Sequence, residues 1–72
     1  MNVERLVSMA NDIGDYFASD PDRRHAVEGI AGHLRQFWDP RMRKAIIAYY
    51  QTGGEALTPL VKDAIARLAG AA

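Results

Sequence analysis

The chain has 72 residues, 49% of them hydrophobic and 25% charged, with a formal net charge of zero and no cysteine. That length and composition suit one small globular domain over residues 1–72 and are too apolar for intrinsic disorder. They exclude disulfides and cysteine-built zinc sites, give no overall attraction to nucleic acid or anionic lipid, and leave no apolar run near the roughly 18 residues of a membrane span.

At the N-terminus, Asn2 is a candidate helix cap, and Glu4 with no unbroken apolar run behind it does not read as a signal peptide, so a cytoplasmic location is expected. The first predicted helix covers about residues 3–19, with Val3, Leu6, Val7, Ala10, Ile13 and Phe17 on one face. Gly14 falls inside that stripe, which points to close internal packing. Asp12, Asp15, Asp20 and Asp22 gather around the end of this helix and the turn after it. Asp20 and Asp22 fit a helix start, where the dipole favours anions, and the others read as a solvated face.

Three X-Pro pairs follow, Asp20-Pro21, Asp39-Pro40 and Thr58-Pro59. An oxygen-bearing side chain caps the free N–H groups of a new helix, and proline in the first helical position loses no hydrogen bond there. The pairs predict three further helices, near 21–37, 40–52 and 59–69, the third closed by Gly53-Gly54. The second carries Val27, Ile30, Ala31, Leu34 and Trp38 on its apolar side. Opposite them, His25, Gly29, Gly32 and Gln36 share one line, which suggests close approach either of another part of the chain or of a partner helix. The third carries Met42, Ala45, Ile46 and Tyr49, with Ile47 and Tyr50 widening the apolar arc to about 200°. Such a helix is either sandwiched or meets another protein along that flank. The fourth carries Leu60, Val61, Ala64, Ile65 and Leu68, and Gly70-Ala71-Ala72 is expected to fray. No segment alternates with period two, so the fold class is all-α, a small bundle of four short helices with short links.

Nothing in the pattern supports catalysis. His25 and His33 lie eight residues apart and point about 80° away from each other, where a zinc pair on a helix sits three or four apart. There is no cysteine nucleophile, no nucleophile-elbow serine and no phosphate loop. The segment Arg35 to Lys44 instead places four arginine or lysine side chains and two aromatics at a sharp helix junction, and Trp and Arg are enriched at the centres of protein interfaces. Trp38 is expected to be at least partly core and the arginines exposed. The chain is read as a module that docks on a partner protein, with Arg35, Trp38, Arg41, Arg43, Ile47 and Tyr50 as the candidate partner-binding residues and no catalytic, cofactor-binding or metal-binding residue. A nucleic-acid-binding domain, or self-association through the Ile47 and Tyr50 flank, is the rival reading. Neutral charge counts against the first of these.

Three blocks carry a resemblance: Met9 to Gly14, Ala26 to Arg43 with its His33-Leu34-Arg35-Gln36-Phe37-Trp38-Asp39-Pro40-Arg41-Met42-Arg43 core, and Gly53 to Val61. Together they resemble the delta subunit of the soluble, molybdenum-containing, NAD-dependent formate dehydrogenases of bacteria. The resemblance implies an accessory subunit that holds no cofactor itself. Its implied partner is the catalytic alpha subunit, which carries the molybdenum or tungsten pterin centre and iron–sulfur clusters. The implied beta and gamma subunits carry flavin and further clusters and pass electrons to NAD. The same resemblance makes pterin phosphate a second possible target of the arginines.

Overall fold

The computed structural model describes residues 2–70. It contains four helices: α1 (Val3–Phe17), α2 (Arg23–Phe37), α3 (Pro40–Gln51) and α4 (Pro59–Gly70), with no strand among the described residues. Gly70 is the last residue of α4, and the rest of the segment expected to fray, Ala71 and Ala72, lies outside the described residues.

The helix starts follow the expected chemistry with one exception. Asn2 Oδ1 accepts from the Glu4 and Arg5 N–H groups, at 2.9 and 3.3 Å. Asp39 caps α3 by accepting from the Met42 N–H at 3.0 Å, with Pro40 in the first helical position. Thr58 Oγ1 accepts from the Val61 N–H at 3.4 Å. The exception is Asp20-Pro21. The helix there starts two residues later than 21, and its cap is Asp22, which accepts from the His25 N–H. One oxygen of Asp20 already accepts from the Asp22 N–H at 2.9 Å and the other holds the His25 ring, so Asp20 shapes the turn before the cap. Helix α1 also ends at Phe17 rather than residue 19, because its last turn tightens: the Ala18 N–H donates to Asp15 O and the Asp20 N–H to Phe17 O.

At the other end of α3, the Gly53 N–H donates to Tyr50 O and the Gly54 N–H to Tyr49 O. Gly53 and Gly54 have φ of 123° and 57°. This is the Schellman arrangement, and the left-handed backbone it needs is the reason for glycine here. Helix α3 accordingly stops at Gln51, one residue before the expected 52.

All four elements feed one core. Leu6, Val7 and Ala10 of α1 meet Ile30, Ala31 and Leu34 of α2, Ile46 of α3, and Val61, Ala64 and Ile65 of α4, with Trp38 and Leu57 from the connections. Fully burying a side chain of the Val/Leu/Ile kind contributes about 1.5–3 kcal/mol, so the five largest fully buried ones (Ile30, Leu34, Ile46, Ile65 and Val61) dominate the stabilisation. Gly14 lies where a Cβ would collide with the Val61 side chain, so α1 and α4 touch closely at that point, as its place in the stripe implied. Two ion pairs, Arg23 to Asp63 and Arg67 to Glu28, climb α2 and α4 in the same order. These two helices therefore run side by side in the same direction.

Trp38 is only 4% exposed and, with Asp39, forms the extended pair that turns α2 into α3. Removing its indole empties a large core site, and Trp38→Ala is expected to cost about 3–5 kcal/mol. For a chain this small that approaches the whole folding free energy. Denaturant unfolding followed by far-UV circular dichroism checks this; an unchanged midpoint would show that the indole contributes little to the core.

Candidate docking surface

The six candidate partner-binding residues separate into groups once folded. Trp38 faces inward, and the aromatic presented at the α2–α3 junction is its neighbour Phe37, 65% exposed, with its ring 4.7 Å from that of His33. Phe37 is the last residue of α2, on the same side as Ile30, and its ring stays in solvent where the chain turns into α3.

The arginines divide similarly. Arg41 and Lys44 are exposed on the outer side of α3, as expected. Arg43 is not: it is half-buried, and its guanidinium donates back to the carbonyl oxygens of Arg35 and Trp38. Those are carbonyls at the C-terminal end of α2, where helix geometry leaves acceptors unpaired and the dipole favours a cation. Arg43 thus fastens α3 to the end of α2. Arg35 projects elsewhere, into an open groove between α2 and α4.

Ile47 and Tyr50 lie half-buried against the core cluster, as do Met42, Ala45 and Tyr49. In all of α3 only Ile46 is fully buried. The wide apolar arc is therefore partly used by α1 and α4 and partly left to solvent, with Lys44 next to Ile47 on the exposed side of α3.

The glycine line of α2 resolves differently at each position. Gly29 is covered by the Phe17 ring, whose nearest carbon lies 2.5 Å from where a Cβ would stand, so a side chain of α1 fills the space rather than a second backbone. Nothing lies within 4 Å of the corresponding point at Gly32, and Gln36 is exposed. Tyr16 stands edge-on to Phe17 at 5.1 Å and is 78% exposed. Sequence reasoning passed over Tyr16, although an aromatic lying off the apolar stripe of α1 was the available signal.

His25 pairs through Nδ1 with the Asp20 carboxylate. The hydrogen bond to Asp20 raises the His25 pKa above its ordinary 6.5, and the same bond, followed by the Asp22 N–H, lowers that of Asp20. His25 is exposed and Asp20 is half-buried, and both lie at the entry of α2. Among the described residues, no group of three or more His, Cys, Asp or Glu side chains is placed to hold a metal ion, and no helix is long and apolar enough to cross a membrane.

Compared with known families, the chain matches over residues 5–65 the NADH-dependent formate dehydrogenase delta subunit FdsD. That span covers all of α2 and α3 and most of α1 and α4. Neither a curated protein nor a solved structure gave a significant match.

Two outcomes follow from these contacts. Arg43→Ala should destabilise the fold by about 1–2 kcal/mol, because it removes charge-assisted bonds to two carbonyls, whereas Arg41→Ala should stay within about 0.5 kcal/mol of the parent. Paired urea titrations distinguish the two. The His25 ring should titrate above pH 6.5 by NMR, and Asp20→Asn should bring its midpoint down. The sign is fixed by linkage: stabilisation from the raised His25 is complete below the unfolded-state pKa and fades as pH rises through the folded one. Stabilisation from the lowered Asp20 is present above its ordinary 3.8 and fades as pH falls through its folded value. The pair therefore supports the α2 entry most between mildly acidic and near-neutral pH.

Proposed function

The chain belongs to the FdsD family of formate dehydrogenase delta subunits, and on that premise we propose that it is a non-catalytic accessory subunit that docks on the catalytic alpha subunit in the cytoplasm. There it supports assembly, cofactor maturation or stability of the active complex. The observation that carries the docking role is the incomplete cover of α3, which has one fully buried residue and the half-covered Ile47 and Tyr50. Phe37, the exposed aromatic at the α2–α3 junction, adds to the free apolar surface. Apolar area of this kind, with Arg41 and Lys44 exposed on the same helix, has the composition of an interface: apolar and aromatic side chains together with charged ones. Trp38 and Arg43 support the same face from behind, one as core and the other as the tie between α2 and α3.

The double variant Phe37→Glu with Arg41→Glu tests this face, since both side chains are exposed and their exchange should leave folding intact. Its helical signal and melting are expected to match the parent. Co-purification with the alpha subunit should fall about tenfold or more, equivalent to ~1.4 kcal/mol of binding free energy. Formate-dependent NAD reduction in cells should fall with it. Retained co-purification with a lower molybdenum content would assign the face to cofactor maturation. If binding, molybdenum content and activity all stayed at the parental level, the α2–α3 face would not be the docking face.

A further inference from the structure

The groove between α2 and α4 carries charge that the α2–α3 face does not use. Its lining is apolar and small: Val27 and Ala31 already belong to the core, 7% and 1% exposed, and Ala66 is half-buried. Its rim holds four arginines, Arg23, Arg24, Arg35 and Arg67, against two acids, Glu28 and Asp63. Both acids are engaged, Asp63 with Arg23 at 2.6 Å and Glu28 with Arg67 at 3.1 Å. Arg24 and Arg35 have no carboxylate partner among the described residues, and both are exposed. In a chain whose formal charge sums to zero, this groove is a local surplus of two positive charges.

The spacing of those two charges is informative. Eleven residues are close to three helical turns, so Arg24 and Arg35 stand on one edge of α2, about 20° apart in direction and about 16 Å apart along the axis. Ala31 lies between them on the same edge, and Ala66 and Gly70 face it from α4. With only small side chains at Ala66 and Gly70, α4 presents no bulky group there to keep a third helix from the usual interaxial distance of about 8–10 Å.

We propose that this groove seats an acidic amphipathic helix of the alpha subunit. Small side chains of that helix lie over Ala66 and the stems of the groove arginines, and two of its carboxylates, about three turns apart, are taken by Arg24 and Arg35. A guanidinium fork matches a carboxylate in two parallel hydrogen bonds, and the existing Arg23–Asp63 and Arg67–Glu28 pairs keep the neighbouring arginines from competing. The inference rests on the docking reading above and names a second contact, on other elements, for the same partner.

The test uses the purified complex. Arg24→Lys and Arg35→Lys keep the charge but introduce amines that a zero-length carbodiimide reagent can couple to carboxylates. Each variant is expected to cross-link to an Asp or Glu of the alpha subunit, and mass spectrometry should place the two acceptors about 10–12 residues apart in one helical segment. Cross-links confined to this chain, absent, or scattered over separate alpha-subunit segments would overturn the inference; acceptors in one extended segment would replace the helix with a strand-like peptide and overturn it too. In parallel, Arg24→Glu with Arg35→Glu should lower capture of the alpha subunit about tenfold and make the remainder less sensitive to salt, with the helical signal kept. If capture survives this double reversal yet is lost in Phe37→Glu with Arg41→Glu, the groove inference fails and the docking reading stands. If the unaltered chain does not capture the alpha subunit, both fail.

Discussion

The Asn11 side chain ties the two halves of the chain together. Its Nδ2 donates to Ala56 O at 2.9 Å and its Oδ1 accepts from the Thr58 N–H at 3.1 Å, so one amide satisfies both an acceptor and a donor of the loop between α3 and α4. The Tyr49 hydroxyl accepts from the Ala56 N–H at 3.0 Å and holds the same loop from α3. With the loop fixed, Thr58 is placed to cap α4, Val61 meets Gly14, and α4 is laid along α2. Among the described residues no polar or charged residue is fully buried. The directional information in this fold therefore comes from half-buried polar contacts at its edges, of which Asn11 makes the most distant in sequence, while the aliphatic core supplies the bulk of the free energy.

A second set of edge contacts determines which side chains remain available to a partner. At the α2–α3 junction adjacent residues take opposite roles: Trp38 fills the core and Phe37 stands in solvent, while Arg43 turns back to the α2 carbonyls and Arg41 projects outward. Between α2 and α4, Arg23 and Arg67 are held by carboxylates and Arg24 and Arg35 are not. Residues of one type thus separate into those that hold the helices together and those that remain open, and the separation depends on which helix end or carboxylate lies within reach.

The local chemistry of the chain was largely legible in its sequence. Caps at Asn2, Asp39 and Thr58, the glycine pair after α3 and the 3.6-residue stripes gave four helices with ends within two residues of those observed. The failure at Asp20 has a definite cause: two candidate caps, Asp20 and Asp22, stood close together, and the pairing of Asp20 with His25 and with the Asp22 N–H decided between them. Contacts between distant segments were harder to see. Periodicity can say that Gly29 faces away from the Val27, Ile30 and Leu34 stripe, but not that Phe17 from another helix covers it. Nor can it say that Arg43 reaches the end of α2, or that Asn11 reaches residues 56 and 58, because those depend on how the helices cross. The candidate site was legible as a segment, Arg35 to Tyr50, and its division between core, tie and open surface was not.

These features bear on why so small a chain leaves aromatic surface uncovered. A domain of about 70 residues buries a modest share of its surface and has few kilocalories to spare. Covering Phe37 and the Ile47 and Tyr50 flank from within would require another element, and this chain has already committed its four helices to a single cluster. A partner that covers them binds the folded chain and not the unfolded one, so its binding free energy adds to folding stability in proportion to the logarithm of its concentration over its dissociation constant. On the docking reading, the same exposed residues both recognise the larger subunit and draw stability from it. The delta chain would then be most stable within the complex, and the cost of its incomplete core would be offset only where the alpha subunit is present.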